Sequence, residues 1–259
     1  MTRTTVPARA ARAALVTGVV VALAATATAC ASAGDDEHPD RRSFALRGDT
    51  LTVESDNSAL EIVASDAHEA GTVRVTRWFD GSVVVGEGPE VTWSMKDDRL
   101  VLRINCSGMV ADCAARHRVQ VPRGVAVKVE DDDGSVRARG FRDALSIRTS
   151  DGSVRVTDSS GPLDLRSDDG SVRADVASRT VSARTRDGSV RLDLSAVPDR
   201  VESVSDDGSV TITLPRATYR VTAGTDDGAV DVSVPRDDSS AHVVSARTQD
   251  GKVTVRNAN

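Results

Sequence analysis

Thr149-Ser150-Asp151-Gly152-Ser153-Val154-Arg155-Val156 decides the fold, because the chain returns to this pattern again and again. Asp-Gly pairs stand at Asp133-Gly134, Asp151-Gly152, Asp169-Gly170, Asp187-Gly188, Asp207-Gly208, Asp227-Gly228 and Asp250-Gly251, with successive glycines 18, 18, 18, 20, 20 and 23 residues apart. The second residue after Gly is always Val: Val136, Val154, Val172, Val190, Val210, Val230 and Val253. The fourth is apolar: Ala138, Val156, Ala174, Leu192, Ile212, Val232 and Val255. Seven before Gly stand Val127, Leu145, Leu163, Val181, Val201, Val221 and Val244. Five before it stand Val129, Ile147, Leu165, Ala183, Ser203, Ala223 and Ala246, with Ser203 the one polar member. Apolar side chains at every second position mark a strand with one buried face. Each unit therefore reads as strand, Asp-Gly corner, strand and looser turn.

Two architectures share that reading. Asp-Gly between alternating runs is a strong hairpin signal, which gives an antiparallel β meander or propeller as the alternative. Identical corners at a near-constant period instead favour a solenoid, in which each coil sits on a copy of itself. The favoured class is all-β: a right-handed parallel β-helix of about seven coils, the hand following the crossover rule. Gly134, Gly152, Gly170, Gly188, Gly208, Gly228 and Gly251 are then structural corners, and positive φ is the expected reason for glycine there. Three residues before Gly, a hydroxyl recurs at Thr149, Ser167, Thr185, Ser205, Thr225 and Thr248, with Asp131 the exception. Such a column can hydrogen-bond along a stack. Outward columns of Arg137, Arg155, Arg173 and Arg191, and of Arg148, Arg166, Arg184 and Arg247, read as a solvated surface neutralised by neighbouring acids. The last unit ends at Val255, so its edge is expected to need cover from another chain or from nearby charges.

Residues 123–259 carry the repeats, and residues 43–122 do not show them clearly. Runs such as Leu51-Thr52-Val53, Leu60-Glu61-Ile62-Val63, Val73-Arg74-Val75 and Leu100-Val101-Leu102 predict strands of an irregular N-terminal β cap. Asp80-Gly81-Ser82-Val83 reads as a diverged coil. Trp78 and Trp93 either pack over the first coil or form a binding face with the loop from Cys106 to Cys113. A disulfide is the default for that cysteine pair in an oxidising compartment. A metal pair is the competing reading, although His117 stands alone nearby.

The compartment is read from the start of the chain. Arg3, Arg9 and Arg12 precede an apolar stretch from Ala13 to Ala25, and Ala27-Thr28-Ala29 offers a small-residue cleavage site. Residues 1–29 are thus a signal peptide. Thr28-Ala29-Cys30 resembles a bacterial lipobox, with Ala27 where Leu is preferred. Cys30 is the expected lipid attachment point, and ordinary cleavage after Ala29, giving a secreted protein, is the alternative. Residues 30–42 follow as attachment point and tether. Formal net charge is −6, and no basic cluster sits beside aromatics, which argues against a nucleic-acid partner.

The lipoprotein-like signal, the Cys106/Cys113 pair, Val121-Pro122-Arg123-Gly124 and the serial Asp-Gly-Ser-Val turns together resemble the DUF4097 family of exported bacterial β-strand-repeat proteins, some of them called adhesins. The resemblance implies a β-helix-like fold, a place in the envelope and no catalytic residues. The expected function is a non-enzymatic surface or scaffold protein on the outer face of the cell membrane. Its expected partners are the membrane, through the lipid, and an envelope protein or glycan. No cofactor and no metal are expected. A calcium-linked binding module and a polysaccharide-acting β-helix enzyme are the alternatives. The first lacks the glycine-rich nonapeptide that binds calcium in other solenoids, and the second has few aromatics to stack sugars.

Overall fold

Short runs of alternating β-branched residues, separated by Asp-Gly corners and looser turns, favour strands over helices. The computed structural model describes residues 36–66, 71–83, 88–108 and 111–258, and these are built of strands and turns. The expected signal peptide, Cys30 and the first part of the expected tether lie outside the described residues. The N-terminal region supplies β1 (Asp40–Ala45), β2 (Thr50–Ser55), β3 (Ser58–Ser65), β4 (Thr72–Val83), β5 (Glu90–Lys96), β6 (Arg99–Asn105) and β7 (Ala111–Pro122). The Asp-Gly units supply strands in pairs. They are β8 (Ala126–Asp131) and β9 (Val136–Arg139), β10 (Leu145–Thr149) and β11 (Val154–Thr157), and β12 (Leu163–Ser167) and β13 (Val172–Val176). Next come β14 (Thr180–Asp187) and β15 (Val190–Leu194), and β16 (Arg200–Asp207) and β17 (Val210–Leu214). Last are β18 (Arg220–Asp227) and β19 (Val230–Val232), and β20 (Val243–Asp250) and β21 (Val253–Asn257).

Two sheets face each other across one core. Sheet A runs β1-β4-β7-β3-β9-β11-β13-β15-β17-β21-β19, and sheet B runs β18-β20-β16-β14-β12-β10-β8-β2-β6-β5. Every Asp-Gly unit leaves sheet B, turns at its glycine and enters sheet A. Neighbouring units pair in parallel and in register, as in Leu145 beside Leu163 and Val154 beside Val172. A hairpin would have joined the two strands of one unit in one sheet, so the meander and propeller alternative is excluded. Among the described residues, antiparallel pairing is confined to the N-terminal end, where β1 pairs β4, β4 pairs β7 and β5 pairs β6.

The core is two aliphatic columns per sheet. The valines two residues after Gly are buried in all but the unit of β18 and β19, where Val230 is 46% exposed. Large and small residues compensate within a unit: Leu165 goes with Ala174, Ala183 with Leu192, and Ser203 with Ile212. Constant volume per layer lets parallel strands stack without voids or strain. Ser203 is fully buried there, and its hydroxyl has no partner among the described residues.

The N-terminal region does more than cap. β2 pairs in parallel with β8, and β3 with β9, so both sheets run on unbroken from the repeats. β6 then lies beside β2 and β7 beside β3, again in parallel. Asp80-Gly81-Ser82-Val83 is no coil corner. It lies inside β4, with Gly81 opposite Cys113 on β7. A side chain on Gly81 would strike the Cys113 sulfur and the Phe79 ring, which accounts for glycine without a turn.

The C-terminal end also departs from the sequence order. β20 and β21, last in the chain, lie between β16–β17 and β18–β19. The edge expected at Val255 is therefore covered by β19, and the free edges at that end belong to β18 and β19. The physical reason is composition. β18 carries Ala223 and Gly224 and is only half-buried, which suits a terminal coil, whereas Val244, Ala246, Val253 and Val255 are fully buried.

Candidate functional site

The corner glycines form a continuous column. A Cβ on Gly152 would fall well under 3.0 Å from the carbonyl oxygen of Gly134, and the same holds for Gly170 against Gly152 and Gly188 against Gly170. The contact continues from Gly188 to Gly208, Gly251 and finally Gly228. Positive φ, the expected reason for glycine, holds only at Gly208 and Gly251 among these corners. The general reason is that backbone lies on backbone with no room for a side chain.

The hydroxyl column fastens these corners. Ser167 donates to Gly152 O at 2.8 Å, Thr185 to Gly170 O at 2.8 Å and Ser205 to Gly188 O at 2.7 Å. Thr248 donates to Gly208 O at 2.8 Å and Thr225 to Gly251 O at 3.1 Å. Each hydroxyl satisfies a carbonyl of the adjacent coil, so the recurring Ser/Thr is consumed inside the stack.

Asp131 breaks that column and opens a different arrangement. It is 4% exposed, and the Gly134 amide donates to its Oδ2 at 2.8 Å. Burial pushes the Asp131 carboxyl up to about 7, against the pull of the Ser55 hydroxyl and the Gly134 amide. Ser55 Oγ lies 2.8 Å from Ser58 Oγ, which lies 3.0 Å from His117 Nδ1. Burial, aided by the charge of Arg77, holds the fully buried His117 imidazole down at about 4. A polar chain from Asp131 through Ser55 and Ser58 to His117 thus crosses β8, β2, β3 and β7 under the first corners. His117 is isolated in the sequence and joins these residues only through parallel pairing of β3 with β7; the signal in the sequence is Asp131, which stands where other units carry a hydroxyl. The residue types are those of a hydrolytic triad, but both serines are 2% exposed, so neither hydroxyl presents itself to a substrate.

Beside this chain lies an open polar groove of about 520 Å³ lined by Glu54, Asp56, Arg103, Asp132, Arg148 and Asp168, among others. Its charges are mutually engaged, with Arg103 on Glu54 and Asp56, and Arg148 near Asp164. The Asp-Gly carboxylates also stack. Contact with Asp133, and then with Asp169, raises Asp151, while Arg186 lowers Asp169 by donating to it at 2.7 Å.

The tryptophans do not form one face. Trp93, on β5, packs against the end of the core, with the guanidinium of Arg77 4.5 Å and that of Arg42 5.8 Å from its ring centre. Trp78, on β4, lies under Arg116 at 4.3 Å and Arg118 at 5.4 Å. Each indole is covered by its own arginines. Cys106 and Cys113 are joined by a disulfide across the turn between β6 and β7. Replacing both by serine is expected to cost only about 2 kcal/mol, because the closed loop is short. Urea denaturation with an unchanged far-UV spectrum checks this.

The Toastrack DUF4097 family model matches residues 103–257, more than half of the chain. This chain belongs to the DUF4097 family. Within DUF4097, the matched span runs from the end of β6 through β21 and so contains every Asp-Gly corner. No curated protein matches the chain. Among solved structures, a candidate adhesin from Bacteroides fragilis is similar over 86% of this chain and 98% of its own, at 13% identity and a TM-score of 0.55. A candidate adhesin from Parabacteroides distasonis is similar over 86% and 98% at 12% identity and a TM-score of 0.46. At such identity the likeness to the first establishes the DUF4097 fold and nothing finer.

Proposed function

We propose that this DUF4097 protein is a non-enzymatic, adhesin-like scaffold on the outer face of a bacterial cell membrane, held there by lipid on Cys30. The carrying observation is how the repeat spends its polar groups. Its Ser and Thr hydroxyls bond neighbouring glycine carbonyls, and its Gly has no space for a side chain. The repeated elements thus serve a rigid rod rather than a repeated reaction. The right-handed coils, one per Asp-Gly unit and extended by β2, β3, β6 and β7, set that rod's length. The description of the B. fragilis relative as a candidate adhesin supports a surface role. The partner is an envelope protein or glycan. Against calcium-linked binding stands Arg186, which is wedged between Asp169 and Asp187 where a cation would compete.

Cell fractionation of a Cys30→Ala variant tests the anchored location. The wild type is expected in the membrane fraction and the variant in the medium or the soluble envelope fraction. A variant that stays with the membrane overturns lipid anchoring. Wild type and variant both retained in the cytoplasm would overturn export itself.

A further inference from the structure

The two outer faces of the solenoid treat their arginines differently. On sheet B, Arg99 and Arg103 pair with Glu54, Arg148 and Arg166 with Asp164, and Arg184 with Glu202. On sheet A, a row crosses the strands from Arg118 on β7 through Glu61 on β3 to Arg137, Arg155 and Arg173 on β9, β11 and β13. Arg118 takes Glu61 at 2.8 Å. Arg137, Arg155 and Arg173 are exposed and have no ion-pair partner among the described residues, and exposed Arg139 stands beside them in the same state. Like charges directly opposite on adjacent strands destabilise a sheet, and here they recur at the strand spacing of about 4.8 Å. A chain of net charge −6 has acids enough to neutralise this row, as it does on sheet B. The acids beside the row are already engaged at its two ends, Glu61 by Arg118 and Asp193 by Arg191, with Asp175 next to Asp193.

We infer that this row is a binding site for an extended, carboxylate-bearing glycan lying along the stack of sheet A. The row carries one arginine per strand on β9, β11 and β13, with Arg139 beside it, which fits a thin linear polyanion. Each guanidinium offers a planar fork suited to a carboxylate. The site gives a ligand class to the surface role proposed above and rests on that reading.

Binding of the purified full chain to polygalacturonate tests it, with dextran, phosphatidylglycerol vesicles and duplex DNA as comparisons. Polygalacturonate is expected to bind, more weakly as salt rises, while dextran does not. The Arg137→Glu/Arg155→Glu/Arg173→Glu variant is expected to lose about tenfold or more in affinity. An Arg148→Glu/Arg166→Glu variant on sheet B is expected to bind like the wild type. The triple Arg→Gln variant, with a melting curve, separates lost binding from lost folding. Equal loss from both faces, no loss from sheet A, or tighter binding to vesicles or DNA overturns the glycan site. Because this assay uses purified protein, its failure leaves the Cys30 fractionation result standing, and the reverse holds too.

Discussion

Gly170→Ala is expected to destabilise the protein by roughly 3 kcal/mol or more, a large effect for one methyl group. The added carbon would strike the backbone of Gly152, and backbone on a neighbouring coil cannot swing aside as a side chain does. The same displacement would lengthen the Thr185 to Gly170 O bond on the other side of the corner. Gly224→Ala is the control. Nothing lies within 4 Å of its added carbon, and its φ is not positive, so a change within about 0.5 kcal/mol is expected. Urea midpoints at constant slope measure both. Similar losses at the two positions would remove close backbone contact as the reason for the glycine column.

Asp131→Thr is expected to stabilise the protein in alkaline solution. The folded carboxyl sits near 7, above its ordinary value of 3.8, so the folded state holds a proton that the unfolded state releases. The contribution of Asp131 is therefore fully present below about pH 4 and is lost as pH rises through 7. The penalty above that range is on the order of 4 kcal/mol. Threonine removes the charge and restores the hydroxyl that other units use. His117 works in the opposite sense. Its folded value, about 4, lies below the ordinary 6.5, so its contribution is present above 6.5 and lost as pH falls towards 4. The gain from Asp131→Thr should accordingly be largest near about pH 8 and vanish near about pH 4, with the acid-side loss from His117 retained. A gain independent of pH would show that Asp131 is not buried as described.

Much of this structure was legible in the chain. The alternating positions named the inward face of nearly every strand, because a period of two leaves no freedom over which side chains are buried. The hydroxyl column was legible for the same reason, since identical residues stacked in register meet identical neighbours. The order of the last coils was not. Lengthening of the final spacing to 23 residues was its only trace, and spacing alone does not reveal that the chain doubles back. The coil-like strands β2, β3, β6 and β7 were hidden because their corners carry Asp56-Asn57 and a disulfide loop in place of Asp-Gly. The chain from Asp131 to His117 was equally hidden, since its members are distant in sequence and meet only through parallel pairing. The arginine row was visible as a column, but that Glu61 stands in it already engaged by Arg118 depends on which residues of β3, β7 and β9 share a face.

Disulfide trapping tests the stacking of coils most directly. In a Cys30→Ala background, Thr211→Cys with Thr254→Cys places the thiols on register partners of β17 and β21. Thr211→Cys with Asp231→Cys places them on strands that would be neighbours only if the coils stacked in chain order. The first pair is expected to form a disulfide on mild oxidation, read by peptide mass, and the second is not. Cross-linking of the second pair and not the first would contradict this stacking.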